Sequence, residues 1–347
     1  MKINYPYQYL SLSINKIFNL DSNEFYQFVE YISSSSSPQQ TISFWNSVSC
    51  NKNAISILEA NPENINWSNI SMNKNAIHLL SKNSEKIDWS YLSGNSAAIH
   101  LLLENPEKID WYFLSFNKNA ISILEANPEK INWTGLSLNT GAIHLLSENP
   151  EKIDWDFISC NKKALSILEK NPQRIDWNWL SENPDVNAIR LLKENPDKIN
   201  WTKLSGNASA IHLLMANPEK IDWEWFSGNS SIEAIRLLEA NPEKINWTIL
   251  CGNPTAVKLL VANPEKINWN LITLNKNIIQ IMYSLQEYVR KNHHKINWCD
   301  FLENPNIFTL DYLKIKKRMD IIREDLIKKS LHPTRICNWL KQDFYDF

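Results

Sequence analysis

Tryptophan returns in this chain at a fixed interval. Trp45, Trp67, Trp89, Trp111, Trp133, Trp155 and Trp177 stand 22 residues apart. Trp201, Trp223, Trp247, Trp269 and Trp298 continue the series at steps of 24, 22, 24, 22 and 29. A large side chain recurring at one period marks a small structural unit stacked on copies of itself, and this constrains the architecture more than any local motif.

With each unit numbered from its Trp as column 1, the copies read W-x-x-L-S-x-N-x-x-A-I-x-L-L-x-x-N-P-E-K-I-D/N, as in WSYLSGNSAAIHLLLENPEKID from Trp89 to Asp110. Asp or Asn at column 22, just before an apolar segment, is a helix N-cap that accepts bonds from otherwise orphaned N–H groups. A first helix then carries columns 1, 4 and 5 on one face. Column 7 is Asn in every copy from Asn51 to Asn275. It can end the first helix and cap the second. The second helix places Ala, Ile, Leu and Leu at columns 10, 11, 13 and 14, an apolar arc suited to a helix squeezed between neighbouring repeats. Asn-Pro at columns 17 and 18 stops that helix, because the residue before Pro is pushed out of the α region and Pro opens a new turn well. Column 21 Ile returns to the core.

Period-2 alternation is absent, and the unit is shorter than tetratricopeptide, ankyrin or HEAT units. The expected fold is therefore all-α, an α-solenoid (superhelix) of about 11 tandem two-helix repeats of 22–29 residues with helical caps at both ends. Residues 1–44 are expected to be an N-terminal helical cap and Ser-rich linker, 45–297 the solenoid, and 298–347 a degenerate repeat and C-terminal cap. At 8–10 Å between neighbouring helices, such a stack should extend roughly 100 Å. The seven extra residues after Trp269 are about two helical turns and predict a long second helix in that copy. The two 24-residue copies add two residues after column 7, and only they carry Trp at column 3 (Trp179, Trp225) together with an inserted aliphatic residue (Val186, Ile232). The pattern predicts that Trp179 packs on Val186 and Trp225 on Ile232. In the end segments, Phe25, Phe28, Val29 and Ile32 fall on one helical face, and a helix is expected at about 307–330. The cluster Lys314, Lys316, Lys317 and Arg318, interleaved with Asp320, Glu324 and Asp325, is read as a solvated helix face.

The charge is balanced, 36 basic against 38 acidic residues, so nothing draws the whole chain to nucleic acid or an anionic membrane. Five widely spaced cysteines without C-x-x-C argue against a disulfide framework and suit a reducing compartment. The first residues show no charged n-region followed by an apolar stretch, and no run approaches 18 apolar residues, so neither a secretory signal nor a membrane span is expected.

Candidate chemistry sits in three columns. Column 12 holds His78, His100, His144, Arg190, His212, Arg236 and Lys258, and column 3 holds Tyr91, Phe113 and Phe157 among others. Together they form a candidate partner-binding stripe. Column 12 can equally be an outward position that tolerates any polar residue, and column 3 can pad the seam between first helices. Column 5 Ser with column 12 His and column 22 Asp, as in Ser93, His100 and Asp110, has the residue types of a catalytic triad. The set recurs along the chain, however, whereas a triad is one local geometry. Ser at column 5 is better explained as a small residue at a helix contact. Column-mates about 8–10 Å apart cannot share a zinc whose ligands lie at about 2 Å. With no Walker loop, H-E-x-x-H or G-x-G-x-x-G, neither an enzyme nor a metal, cofactor or small-molecule ligand is expected. Glu and Lys at columns 19 and 20 should form ribbons that confer solubility and weak cross-repeat pairing, roughly 0–1 kcal/mol per pair.

The repeat, written INWTGLSLNTGAIHLLSENPEKIDW, resembles tandem-repeat proteins encoded by large DNA viruses of algae and amoebae. The tail REDLIKKSLHPTRICNWL is similar to a C-terminal element of such proteins, with His-Pro, Arg-Ile and Trp-Leu in that order. The resemblance spans residues 45–340 and implies a viral protein acting inside the host cell, in the cytoplasm or in the virion. It implies no activity. The expected function is a non-enzymatic scaffold that offers an extended surface to another protein. The alternatives are a repeat-by-repeat nucleic-acid binder reading through columns 12 and 3, and a structural component of the particle.

Overall fold

The computed structural model describes residues 38–292 and 295–306. The end segments 1–37 and 307–347, with the Phe25 face, the expected helix at 307–330 and the lysine cluster, lie outside them. Every regular element among the described residues is helical, and in most units they succeed one another as two short helices and a 3-10 turn.

Each unit is built as its side chains dictate. Asp110 caps the helix Trp111–Phe116, its carboxylate accepting the N–H groups of Tyr112 and Phe113 at 3.0 and 3.2 Å. Asn117 ends that helix, and its Oδ1 accepts the N–H of Asn119 at 3.1 Å to shape the turn. The second helix is Ile121–Glu125. Asn127 Nδ2 then donates to the carbonyl of Ile123 at 2.9 Å, satisfying a helix-end acceptor, and Pro128–Lys130 forms the 3-10 turn. No described residue has positive φ. Asparagine side chains make the turns that glycine makes in most proteins, which is how six glycines suffice. Columns 4, 10 and 14 form the core: Leu114, Ala120 and Leu124 are fully buried. The column 1 indoles from Trp67 to Trp247 are half-buried and packed against it, and Trp45 and Trp269 are buried.

Column 7 does more than cap. Asn117 Nδ2 also reaches the preceding unit, donating to the carbonyls of Ser93 at 2.9 Å and Asn95 at 3.1 Å. The same bond to the column 5 carbonyl of the unit before runs from Asn73, Asn95, Asn139, Asn161, Asn183, Asn207, Asn229, Asn253 and Asn275. Asn304 continues it to Thr273 and Asn275. The series then returns to its start: Asn51, in the first unit, donates to the carbonyls of Leu302 at 2.6 Å and Asn304 at 2.9 Å. Asn53 bonds the carbonyl of Pro305, Ser47 bonds the carboxylate of Glu303, and the helix Trp298–Glu303 packs along the helix Pro38–Cys50. The described residues thus form a closed ring of twelve units.

The α-solenoid is as expected, but its described ends are not free, and the expected extension of about 100 Å is not realised. The Trp298 copy is the twelfth unit of the ring and meets the first. Closure requires a turn of about 30° per unit, an angle set by side-chain sizes between units that no single copy reveals. At 8–10 Å per unit between helices packed side by side, their axes trace a circumference of roughly 100–120 Å and a radius of roughly 16–19 Å.

Most successive first helices pack directly side by side, whereas most successive second helices stand farther apart, the pair Val257–Ala262 and Ile278–Ser284 excepted. In a two-layered ring the tighter layer has the smaller radius, so the first helices form the inner layer and the second helices the outer.

Two local expectations change. The long second helix of unit 11 is broken at Leu285 into Ile278–Ser284 and Gln286–Asn292, where the Leu285 N–H is shared between the carbonyls of Ile281 and Met282. Val186 and Ile232 begin second helices and are mostly exposed, at 72% and 59%. Trp179 instead finds its partners in adjacent units, Phe157 with ring centroids at 6.2 Å and Lys203 at 4.0 Å. Column 3 leans along the ring toward neighbouring first helices, and the insertion lies beyond the Asn turn.

Candidate functional site: the inner wall

Columns 1, 4 and 5 of each first helix face the core. Columns 2, 3 and 6 are left for the face turned away from the second helices, which is the inner wall of the ring. Here the side chain at column 6 of one unit meets column 3 of the next, and the pairs are matched in size and charge. Phe116 lies over Gly135, where an added Cβ would stand 2.8 Å from its ring. The reverse holds at Gly94 against Phe113 and at Gly206 against Trp225. Glu182 pairs with Lys203 at 2.8 Å. At the ring's closing seam the same columns bring Glu303 to Ser47 at 3.1 Å.

Across units 3 and 4 this wall is aromatic. Ring centroids lie at 5.8 Å for Tyr91 and Phe113, 5.4 Å for Tyr112 and Phe113, and 5.4 Å for Tyr112 and Phe116. The cluster is not closed over: Tyr91, Tyr112 and Phe116 are 37%, 53% and 38% exposed. Trp225, further round, is half exposed. The charges on these columns are Asp156, Glu182, Glu224, Asp300 and Glu303 against Lys203. The inner wall is therefore acidic in a chain whose overall charge is nearly balanced.

The candidate stripe divides between two surfaces. Tyr91, Phe113 and Phe157 lie on the inner wall. His78, His100, His144, Arg190, His212, Arg236 and Lys258 lie exposed on the second helices of the outer layer. Three of the outer residues are tied to column 15 of the preceding unit: His78 to Glu59 at 2.8 Å, His144 to Glu125 at 2.6 Å, and Arg190 to Glu169, with Glu194 at 3.2 Å as its second partner. Such exposed pairs each contribute no more than about 1 kcal/mol. One binding surface cannot use both columns.

Ser93, His100 and Asp110 do not come together as a catalytic set. Ser93 is fully buried, donating to the Trp89 carbonyl at 2.7 Å and accepting the Asp110 backbone N–H at 2.9 Å, while His100 is exposed on the outer layer. Column 5 Ser is thus a cross-unit hydrogen-bonding post rather than merely a small residue. It ties each first helix to the cap of the next, as in Ser115 with Asn132, Ser137 with Asp154 and Ser159 with Asp176. Cys251 fills this post in unit 10, its Sγ accepting the Asn268 N–H at 3.3 Å. Burial pushes its thiol above the ordinary value, against the lowering effect of that bond, and burial raises Cys50, Cys160 and Cys299 as well.

Column 20 also differs from expectation. No Glu–Lys pair within the column 19 and 20 ribbons is seen among the described residues. The basic residue instead lies over the indole of its own unit: Lys86 on Trp67 at 4.9 Å, Lys108 on Trp89 at 4.7 Å, Lys130 on Trp111 at 4.6 Å and Arg174 on Trp155 at 5.3 Å. A cation over a Trp face is attracted by the ring quadrupole, by about 0.5–1 kcal/mol at exposed sites. Trp and Lys recur at a fixed separation in the chain, and that spacing is the signal that could have revealed the pairing.

Compared with known proteins, the chain matches no protein-family model, no curated protein and no solved structure.

Proposed function

We propose that this protein is a non-enzymatic ring scaffold that holds a polypeptide partner against its inner wall. The observation that carries this reading is the exposed cluster Tyr91, Tyr112, Phe113 and Phe116. Aromatic side chains supply large, rigid contact area and dominate the energetic centres of protein interfaces. The described outer wall shows no comparable aromatic cluster: its basic residues are in part neutralised by neighbouring glutamates, and its exposed Leu103, Val186, Met215 and Ile232 stand apart in different units.

A nucleic-acid binder needs a basic track to neutralise phosphates. Five carboxylates and one lysine on the inner wall oppose that reading. The resemblance to viral tandem-repeat proteins and the four described cysteines, all unpaired, support a role inside a host cell or virion. No described helix is long and apolar enough to cross a membrane.

The test is site-specific photo-crosslinking in cells that produce the protein, with the reactive group placed at Tyr112 on the inner wall or at His212 on the outer. A discrete protein adduct from position 112 alone is expected. Adducts from position 212 alone, or RNA or DNA adducts from position 112, would refute the assignment.

A further inference from the structure

We propose that the occupant of the inner wall is a basic amphipathic helix, an inference that rests on the polypeptide-scaffold reading above. Three observations lead to it. First, the wall offers no strand edge. It is made of helices whose backbone groups bond within their own turns or to the asparagine ladder, so a bound segment must satisfy its own backbone, as a helix does. Second, the aromatic cluster gives one apolar side for such a helix, and ring faces also attract lysine and arginine. Third, the neighbouring arc is negative. Asp156 and Glu224 are exposed on the inner wall, and Lys203, the one cation on columns 2, 3 and 6 among the described residues, is already paired with Glu182.

Size agrees. A radius of roughly 16–19 Å at the axes of the inner first helices, less half the 10–12 Å width of those helices, leaves an inner diameter of roughly 20–28 Å, and a helix with side chains is about 10–12 Å across. One helix can therefore lie against the aromatic arc with its cationic side toward the acidic arc.

The experiment uses the full chain and a labelled 18-residue peptide of leucine and lysine, with leucine at i, i+3, i+4 and i+7. Two controls have the same composition scrambled, or glutamate in place of lysine. Binding is read by fluorescence anisotropy at low and high salt. The patterned basic peptide should bind, and both controls should bind at least ~10-fold more weakly. Tyr112→Ser should weaken binding about 10-fold or more. Asp156→Lys with Glu224→Lys should weaken it and flatten its salt dependence, and Arg236→Glu on the outer wall should leave it unchanged. Equal or tighter binding of the glutamate peptide, still lost with Tyr112→Ser, would overturn the basic-helix assignment while keeping the inner wall as a polypeptide site. Binding indifferent to Tyr112→Ser but lost with Arg236→Glu would overturn both. Absence of binding by all three peptides would overturn the basic-helix assignment alone.

Discussion

Asparagine at column 7 donates to the column 5 carbonyl of the preceding unit at junction after junction, yet its loss should have different consequences at two of them. Asn117→Ala removes the partner of three backbone groups: the carbonyls of Ser93 and Asn95, bonded at 2.9 and 3.1 Å, and the N–H of Asn119, bonded at 3.1 Å. Asn51→Ala removes the equivalent set, the carbonyls of Leu302 and Asn304 at 2.6 and 2.9 Å and the N–H of Asn53 at 3.0 Å. Both side chains are 1% exposed, so water does not readily replace them. At ~1–1.5 kcal/mol per lost partner, each change costs about 3–5 kcal/mol locally. Units 3 and 4 remain joined by the chain, whereas the first and twelfth units meet only through non-covalent contacts. Loss at the seam should therefore appear as ring opening, and 3 kcal/mol corresponds to roughly 100-fold more of the open form. Hydrogen exchange read by mass spectrometry distinguishes the cases. Asn51→Ala should speed exchange about 100-fold in peptides covering 38–50 and 298–304 and leave 111–124 unchanged, whereas Asn117→Ala should leave the seam peptides unchanged. Seam peptides that exchange in Asn51→Ala as slowly as in the parent would refute the closed ring.

Gly135→Ala should cost about 1–3 kcal/mol by forcing the Phe116 ring aside, and Phe116→Ala in the same chain should recover most of the loss, as a double-mutant thermal-melt cycle would show. Ser115→Ala strands the Asn132 N–H and should lower stability by about 1–3 kcal/mol, whereas Cys251→Ser restores the recurring residue and should not lower the melting temperature. Desolvation favours the protonated form of the buried Cys251 thiol and of the less buried Cys50, Cys160 and Cys299, so their folded pKa values lie above the ordinary 9.0. Their contribution is fully present below pH 9 and is lost as pH rises through the folded values. Denaturant titrations should show stability falling above pH 9, with a smaller fall in Cys251→Ser. Exchanging Glu182 and Lys203 should leave stability nearly unchanged, while Glu182→Lys alone should lower it, by about 1 kcal/mol or less for this partly exposed pair.

Much of the unit was legible because its determinants are local. The column 22 caps, the Asn-Pro stop and the apolar columns act within a few residues of themselves, and a single copy displays them. The ladder was not legible, because the target of Asn Nδ2 is a carbonyl 24 residues back, and backbone acceptors leave no mark on sequence. Closure was harder still, since it is a sum of small rotations. One clue was present: Asn51 occupies column 7 of the first Trp-marked copy, yet its bond has the same form as those that reach back to a preceding copy. The matching of Phe116 with Gly135, and of Glu182 with Lys203, was a second readable sign, spaced 19 and 21 residues apart. The candidate stripe divides for a geometric reason. Columns 3 and 12 belong to different helices, and the two helices occupy opposite walls.

A stack with loose ends can gain or shed a copy at small expense, and lineages of such proteins can drift in length. A circle admits no such drift. Removing one member here would ask every remaining joint to bend to about 33° in place of about 30°, with all the tightly fitted contacts adjusting together. Copy number is thus held by arithmetic as much as by selection at any site, and the added residues in three members lie in the turn or second helix, where the circle is undisturbed.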